Sequence, residues 1–152
     1  MATTPTQTFS VFTLPFNHAT DFTELADNCE HFADVLVEST DATEKMALCG
    51  RLSACLALLH PTLHDPVPEY LHASLTVDNL PAHLPAFKPE IDQLSVWCQS
   101  LTQLLMSGSL SARQASALED LLHELVRYFA ETLKAPRWLN TTTGKVYLDD
   151  LH

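Results

Sequence analysis

LCGRLSACLALLHPTLHD, residues 48–65, is the stretch whose reading decides how this chain folds. It holds Cys49, Cys55, His60, His64 and Asp65, the raw material of a metal site, yet it also carries leucines at helical spacing and runs into Pro61. Ligands on one helix must share a face. Cys49 and Cys55 are six residues apart, which turns them about 120° from each other, and Cys55 and His60 diverge by about 140°. Neither pair can close on one ion while helical. Cys49, Leu52, Leu56 and Leu59 instead follow the spacing of a packed seam, which predicts a helix over 42–59 that stops where His60 precedes a proline. Its cysteines read as small core hydrophobes. Cys29 and His31, two apart in CEHF, point about 200° apart and cannot share an ion either.

The neighbouring segments take their places around that helix. Asp21-x-x-Glu24 and Asp41-x-x-Glu44 have the spacing of capping boxes, which predicts helices over 21–38 and 42–59 joined by Ser39-Thr40-Asp41. In the first, Phe22, Leu25, Cys29, Phe32, Ala33 and Leu36 share one arc. The second has two apolar stripes, Leu48, Cys49, Leu52, Leu56 and Leu59, and Met46, Ala54, Ala57 and Leu58. That pattern predicts a central helix with neighbours on two faces. Residues 61–88 form a proline-rich crossover, with a short extra helix expected at PEYLHASL, residues 68–75, and with Leu80, Leu84 and Phe87 available to pack it flat. Helices follow over 89–106, with Ile91, Leu94, Trp97, Cys98, Leu101, Leu104 and Leu105 inward, and over 112–134, capped by Ser111-x-x-Gln114, with Leu118, Leu121, Leu122, Leu125, Val126, Phe129 and Leu133 inward. WLNTTTGKVYLDD, residues 138–150, reads as a β-hairpin turning at Gly144, either a docking element or a lid; TFSVFTLPF, residues 8–16, reads as a short strand or an extended arm, and as a strand its residues 8–14 could add a third to the hairpin. The fold class is mainly α: a four-helix, bundle-like core with a long crossover, a short extra helix and a small β element from the N- and C-terminal segments.

At 152 residues, 46% of them apolar, the chain has the size and composition of a single globular domain, with residues 1–7 expected to be flexible. No apolar run approaches the roughly 18–20 residues of a membrane span, and MATTPTQTFSVF lacks the basic patch and apolar core of a secretion signal. The expected location is cytoplasmic, with the four cysteines reduced. Net charge is −11. Through residue 87 eleven acids face only Lys45 and Arg51, a balance of −9; from Lys88 onward eight acids face six bases, a balance of −2. There is no basic patch for nucleic acid. The three glycines, Gly50, Gly108 and Gly144, are too far apart to cradle a phosphate, and no GxSxG elbow presents a nucleophile.

Two surfaces remain as candidates. Glu24, Asp27, Glu30, Asp34 and Glu38 line the outer face of the first helix with no lysine or arginine among them, a charge distribution suited to a basic partner surface. Gln93, Gln99, Thr102 and Gln103 belong to a stretch, residues 93–112, without any charge, a composition closer to an interface than to a solvated face and a candidate for homodimerisation. A second reading gathers His60, His64, Asp65 and His72 on the crossover as a metal or small-ligand site, but without CxxC or HxxxH spacing. Glu119, His123 and Glu124 fall outside the apolar stripe of their helix and read as a solvated face. The reading that follows is a small acidic interaction protein, a non-enzymatic regulator or inhibitor of the immunity, antitoxin, chaperone or nucleic-acid-mimic type without a cofactor; the alternative is a metal- or small-ligand-binding helical bundle, enzyme or not, that uses the crossover histidines.

Overall fold

The computed structural model describes residues 10–83 and 85–151. Four helices stand where the periodicity puts them: α1 (Phe22–Glu38), α2 (Ala42–Leu59), α3 (Ile91–Met106) and α4 (Ala112–Lys134), followed by strands β1 (Trp138–Thr141) and β2 (Gly144–Tyr147). The chain divides into two compact units, Met1–Leu80 and Pro81–His152. No helix among the described residues is long and apolar enough to cross a membrane.

In the first unit, capping side chains set where the helices begin. Asp21 accepts from the Thr23 and Glu24 backbone N–H groups, and Asp41 accepts from the Glu44 N–H at 2.8 Å. The Ser39 hydroxyl donates to the Glu44 carboxylate at 3.1 Å, tying the short link to the start of α2. With three residues between them, α1 and α2 pack as an antiparallel hairpin. Leu25 and Phe32 of α1 and Leu48 and Cys55 of α2 are fully buried in the seam; each pair is two helical turns apart and so keeps one bearing. Val35, Leu36, Leu52, Leu58 and Leu59 surround them.

The two-sided packing expected of α2 is not found in this unit. Leu48, Leu52, Cys55 and Leu59, spaced four, three and four, make the buried edge, while Cys49, Ala54 and Ala57 are exposed, as are Met46 (74%) and Leu56 (48%). Cys49 and Leu48 are adjacent in sequence and therefore about 100° apart, so a single partner helix cannot cover both. The α-helical ladder ends at His60 because Pro61 has no N–H to extend it; His60 itself keeps helical dihedrals (φ −52°, ψ −46°), contrary to the expectation that it would leave the helical region, and the chain continues as a 3-10 turn, His60–Thr62. The Thr62 hydroxyl, not an imidazole, caps the free carbonyl of Leu59 at 2.8 Å.

The segment before α1 is not a strand. Thr8 and Phe9 lie outside the described residues, and Ser10–Thr13 form a turn closed by the Thr13 N–H donating to the Ser10 carbonyl at 2.9 Å. Its apolar side chains have a better use than a hairpin edge: Val11, Leu14 and Phe16 pack on the α1–α2 core. Arg51 secures them. Its guanidinium lies over the Phe16 ring (4.7 Å) and the Phe32 ring (5.4 Å) and donates to the Leu14 carbonyl. In the crossover, the expected short helix is one 3-10 turn, Glu69–Leu71, with Leu71 buried, and Leu80 is 94% exposed. Leu84 lies outside the described residues.

In the second unit, Gly108 takes the left-handed conformation (φ 67°) that turns α3 into α4, and Ser111 and Gln114 form the expected reciprocal cap. Leu94 and Leu125 are buried between the two helices; Trp97, Leu101, Leu105, Leu118, Leu122 and Phe129 are half-buried. Leu104, Leu121, Val126 and Leu133, expected inward, are 40–46% exposed, again because a two-helix hairpin covers one stripe only. Phe87 stacks on Trp97 (6.3 Å between ring centroids, 21°) and tilts against Tyr128. The sheet among the described residues has two antiparallel strands, with Trp138 opposite Tyr147.

Arg51→Ala should lower the unfolding free energy of the chain by roughly 1–3 kcal/mol in denaturant titration, through lost ring stacking and a lost charged hydrogen bond. It should also speed proteolysis between residues 10 and 20. Lys45→Ala, at an exposed position, should do neither.

Candidate functional site

The acidic face of α1 is built as the sequence predicts. With Leu25 and Phe32 turned into the seam, helical geometry sends Glu24, Asp27, Glu30, Asp34 and Glu38 outward, and all five are exposed. None forms an ion pair or a side-chain hydrogen bond among the described residues; the ion pairs found there, Glu124 with Arg127 (2.8 Å) and with His123 (3.6 Å), are on α4. Glu119, four residues before His123, makes none among the described residues. Of the two bases in the first unit, Arg51 is committed to the rings and carbonyl beneath it, which leaves the face unneutralised.

His31, considered above only as a metal ligand, belongs to the acidic face. It is exposed, and at 100° per residue it falls inside the carboxylate arc, four residues after Asp27 and three before Asp34. The spacing was available from the sequence; an imidazole is simply easy to omit when counting bases.

Asp21, at the head of the same helix, is held below the ordinary carboxylate value of 3.8, first by the Thr23 hydroxyl (2.6 Å) and then by the Glu24 N–H (3.0 Å). Across the seam, the Cys55 thiol donates to the Leu25 carbonyl at 3.3 Å and is pushed up to about 11, first by burial and then by the neighbouring Cys29 thiol, so that it is protonated at neutral pH. Cys55 thus matches its expected role as a small core hydrophobe. Cys29 and Cys98 are half-buried, and Cys49 is exposed, contrary to expectation. Asn28, 8% exposed, is a buried polar side chain on α1 whose Nδ2 has no acceptor among the described residues.

The remaining candidates are less assembled. His60, His64, Asp65 and His72 are all exposed, and no group of three or more His, Cys, Asp or Glu side chains among the described residues could hold a metal ion. His72 is occupied locally, its Nε2 lying 3.1 Å from the Val67 carbonyl. On α3, Gln93, Gln99, Thr102 and Gln103 are exposed; the Thr102 hydroxyl turns back onto the Cys98 carbonyl at 2.8 Å. Val96 (62% exposed) and Met106 (80%) share the face of Gln99 and Gln103, an apolar component that the sequence reading had not assigned to it. Trp138 and Tyr147 pair across the hairpin with rings 6.3 Å apart, both exposed. No family model, no curated protein and no solved structure matches the chain.

Because Asp21 has a lower value folded than unfolded, its capping contribution is complete above 3.8 and is lost as pH falls through the depressed value. Asp21→Asn keeps the acceptor and cannot titrate. Below about pH 4 its stability should therefore decline less steeply than that of the parent chain, as read by denaturant midpoints across the acid range.

Proposed function

We propose that the protein is a small acidic interaction protein, a non-enzymatic regulator or inhibitor that binds a basic protein surface through α1. The observation that carries this reading is the unneutralised face of Glu24, Asp27, Glu30, Asp34 and Glu38 on a rigid, capped helix. Carboxylates fixed on one helix face present a field before any partner arrives. Such a field raises association rates by roughly 10–10³ and weakens steeply with ionic strength. It selects a cationic partner more than it binds tightly, because each exposed ion pair is screened. A net charge of −11 disfavours nucleic acid as the direct partner. The quadruple variant Glu24→Lys, Asp27→Lys, Glu30→Lys and Asp34→Lys should keep its helical circular dichroism and lose the partner that the parent chain retains from its native cells at low salt. Unchanged retention would mean that the face serves solvation only.

A second association is favoured by Val96 and Met106 standing exposed beside Gln99 and Gln103 on a face of α3 that carries one charge, Asp92 in its first turn. We assign this face to contact between two copies of the chain. Sedimentation velocity of the parent should then give a dimer that Val96→Glu with Gln103→Glu converts to monomer; a parent that is monomeric throughout the micromolar range overturns the assignment.

A further inference from the structure

We propose that Cys29 and Cys55 are a paired dithiol, a modification site at which a small organic disulfide closes a covalent cross-link between α1 and α2. The pairing rests on one carbonyl. The Cys55 sulfur lies 3.3 Å from the Leu25 oxygen. Within α1 that same oxygen accepts the backbone N–H of Cys29, four residues on. Helical side chains lean toward the N-terminus of their helix, so the Cys29 thiol projects over the turn that Leu25 occupies. The Cys55 sulfur and the turn of α1 that carries Cys29 thus share one carbonyl. Cys29 packs directly on the buried cluster that contains Cys55. The mutual influence of the thiols agrees with this arrangement, since the Cys29 thiol is one of the groups that hold Cys55 protonated.

The exposures set the order of events. Cys29 is half-buried and Cys55 fully buried, so Cys29 is reached first. Its thiolate attacks one sulfur of the reagent R–S–S–R. A bond forms between the Cys29 sulfur and that sulfur, the S–S bond breaks, and RS⁻ departs to take up a proton. Cys55 then gives its proton to solvent and attacks the Cys29 sulfur, forming the Cys29–Cys55 bond and expelling the second RS⁻. Two protein thiols are oxidised, one reagent disulfide is reduced to two thiols, and no other oxidant enters. Because Cys55 is held as the thiol, the second step accelerates as pH rises toward 11. Cys49, exposed on α2, has no partner of this kind. The proposal does not depend on the acidic face of α1.

The test uses the full chain carrying Cys49→Ser and Cys98→Ser, treated with an equimolar amount of 4,4′-dithiodipyridine. Both halves of the reagent should be released as thiopyridone. A non-reducing digest should contain a single cross-linked species joining the Cys29 and Cys55 peptides, and the melting temperature should rise by on the order of 10 °C. Release of one half, with a stable pyridyl cap left on Cys29 of the folded chain, would overturn the pairing. Adding Cys55→Ala should produce that capped state. Where this variant does not fold, Cys29→Ala in the same background serves instead: Cys55 should then stay unmodified until denaturant is added, and rapid modification in the folded chain would show that it does not require Cys29.

Discussion

A guanidinium lying over two phenyl rings holds the first unit together. Arg51 reaches from α2 across Phe16 and Phe32 and donates to the carbonyl of Leu14, so one side chain joins the N-terminal arm to both helices of the hairpin. The contact is worth having because it is partly withdrawn from water, where cation–ring attraction is about 2 kcal/mol rather than a fraction of one. It also has a penalty: the Arg51 Nε is buried with no acceptor among the described residues, a cost of about 1–3 kcal/mol. Without the arm, the seam of Leu25, Phe32, Leu48 and Cys55 would lose the cover that Val11, Leu14 and Phe16 supply.

The same contact shapes the surface. The first unit has few bases, and Arg51 is turned inward, which leaves Lys45 alone at the surface against the carboxylates of α1. Packing and electrostatics are therefore linked: one of the two bases of the first unit is spent on the core. The repulsion among the carboxylates is tolerable in water because each neighbouring pair at helical spacing is worth only a few tenths of a kcal/mol. The cap at Asp21 sits at the positive end of the helix dipole, where negative charge is favoured.

Each hairpin buries one stripe. Two packed helices share a single line of contact, so α2 keeps Met46, Cys49 and Leu56 exposed, and α4 keeps Leu121, Val126 and Leu133 exposed. Periodicity identifies residues that share a bearing on a helix; it carries no information about how many neighbours the helix has. This is why Leu48, Leu52 and Leu59 were legible as seam positions, while Cys49 and Leu56 of the same stripe are exposed and Cys55, which the spacing left out of it, is buried. The third strand was misjudged for a related reason. Alternating β-branched and aromatic residues suit a strand edge, but Val11, Leu14 and Phe16 gain more by lying on an apolar groove that only the assembled hairpin creates.

The sequence by itself determined what local chemistry can set. Helix starts at Asp21, Asp41 and Ser111, the stop before Pro61, the turns at Gly108 and Gly144 and the outward bearing of the α1 carboxylates all follow from backbone geometry and side chains within a few residues. Only the tertiary structure decided that Arg51 faces inward, that Cys55 is buried against the Leu25 carbonyl, and that Cys49 stays outside. Those outcomes depend on which elements pack together, and contact between distant segments is governed by burial that no local spacing specifies.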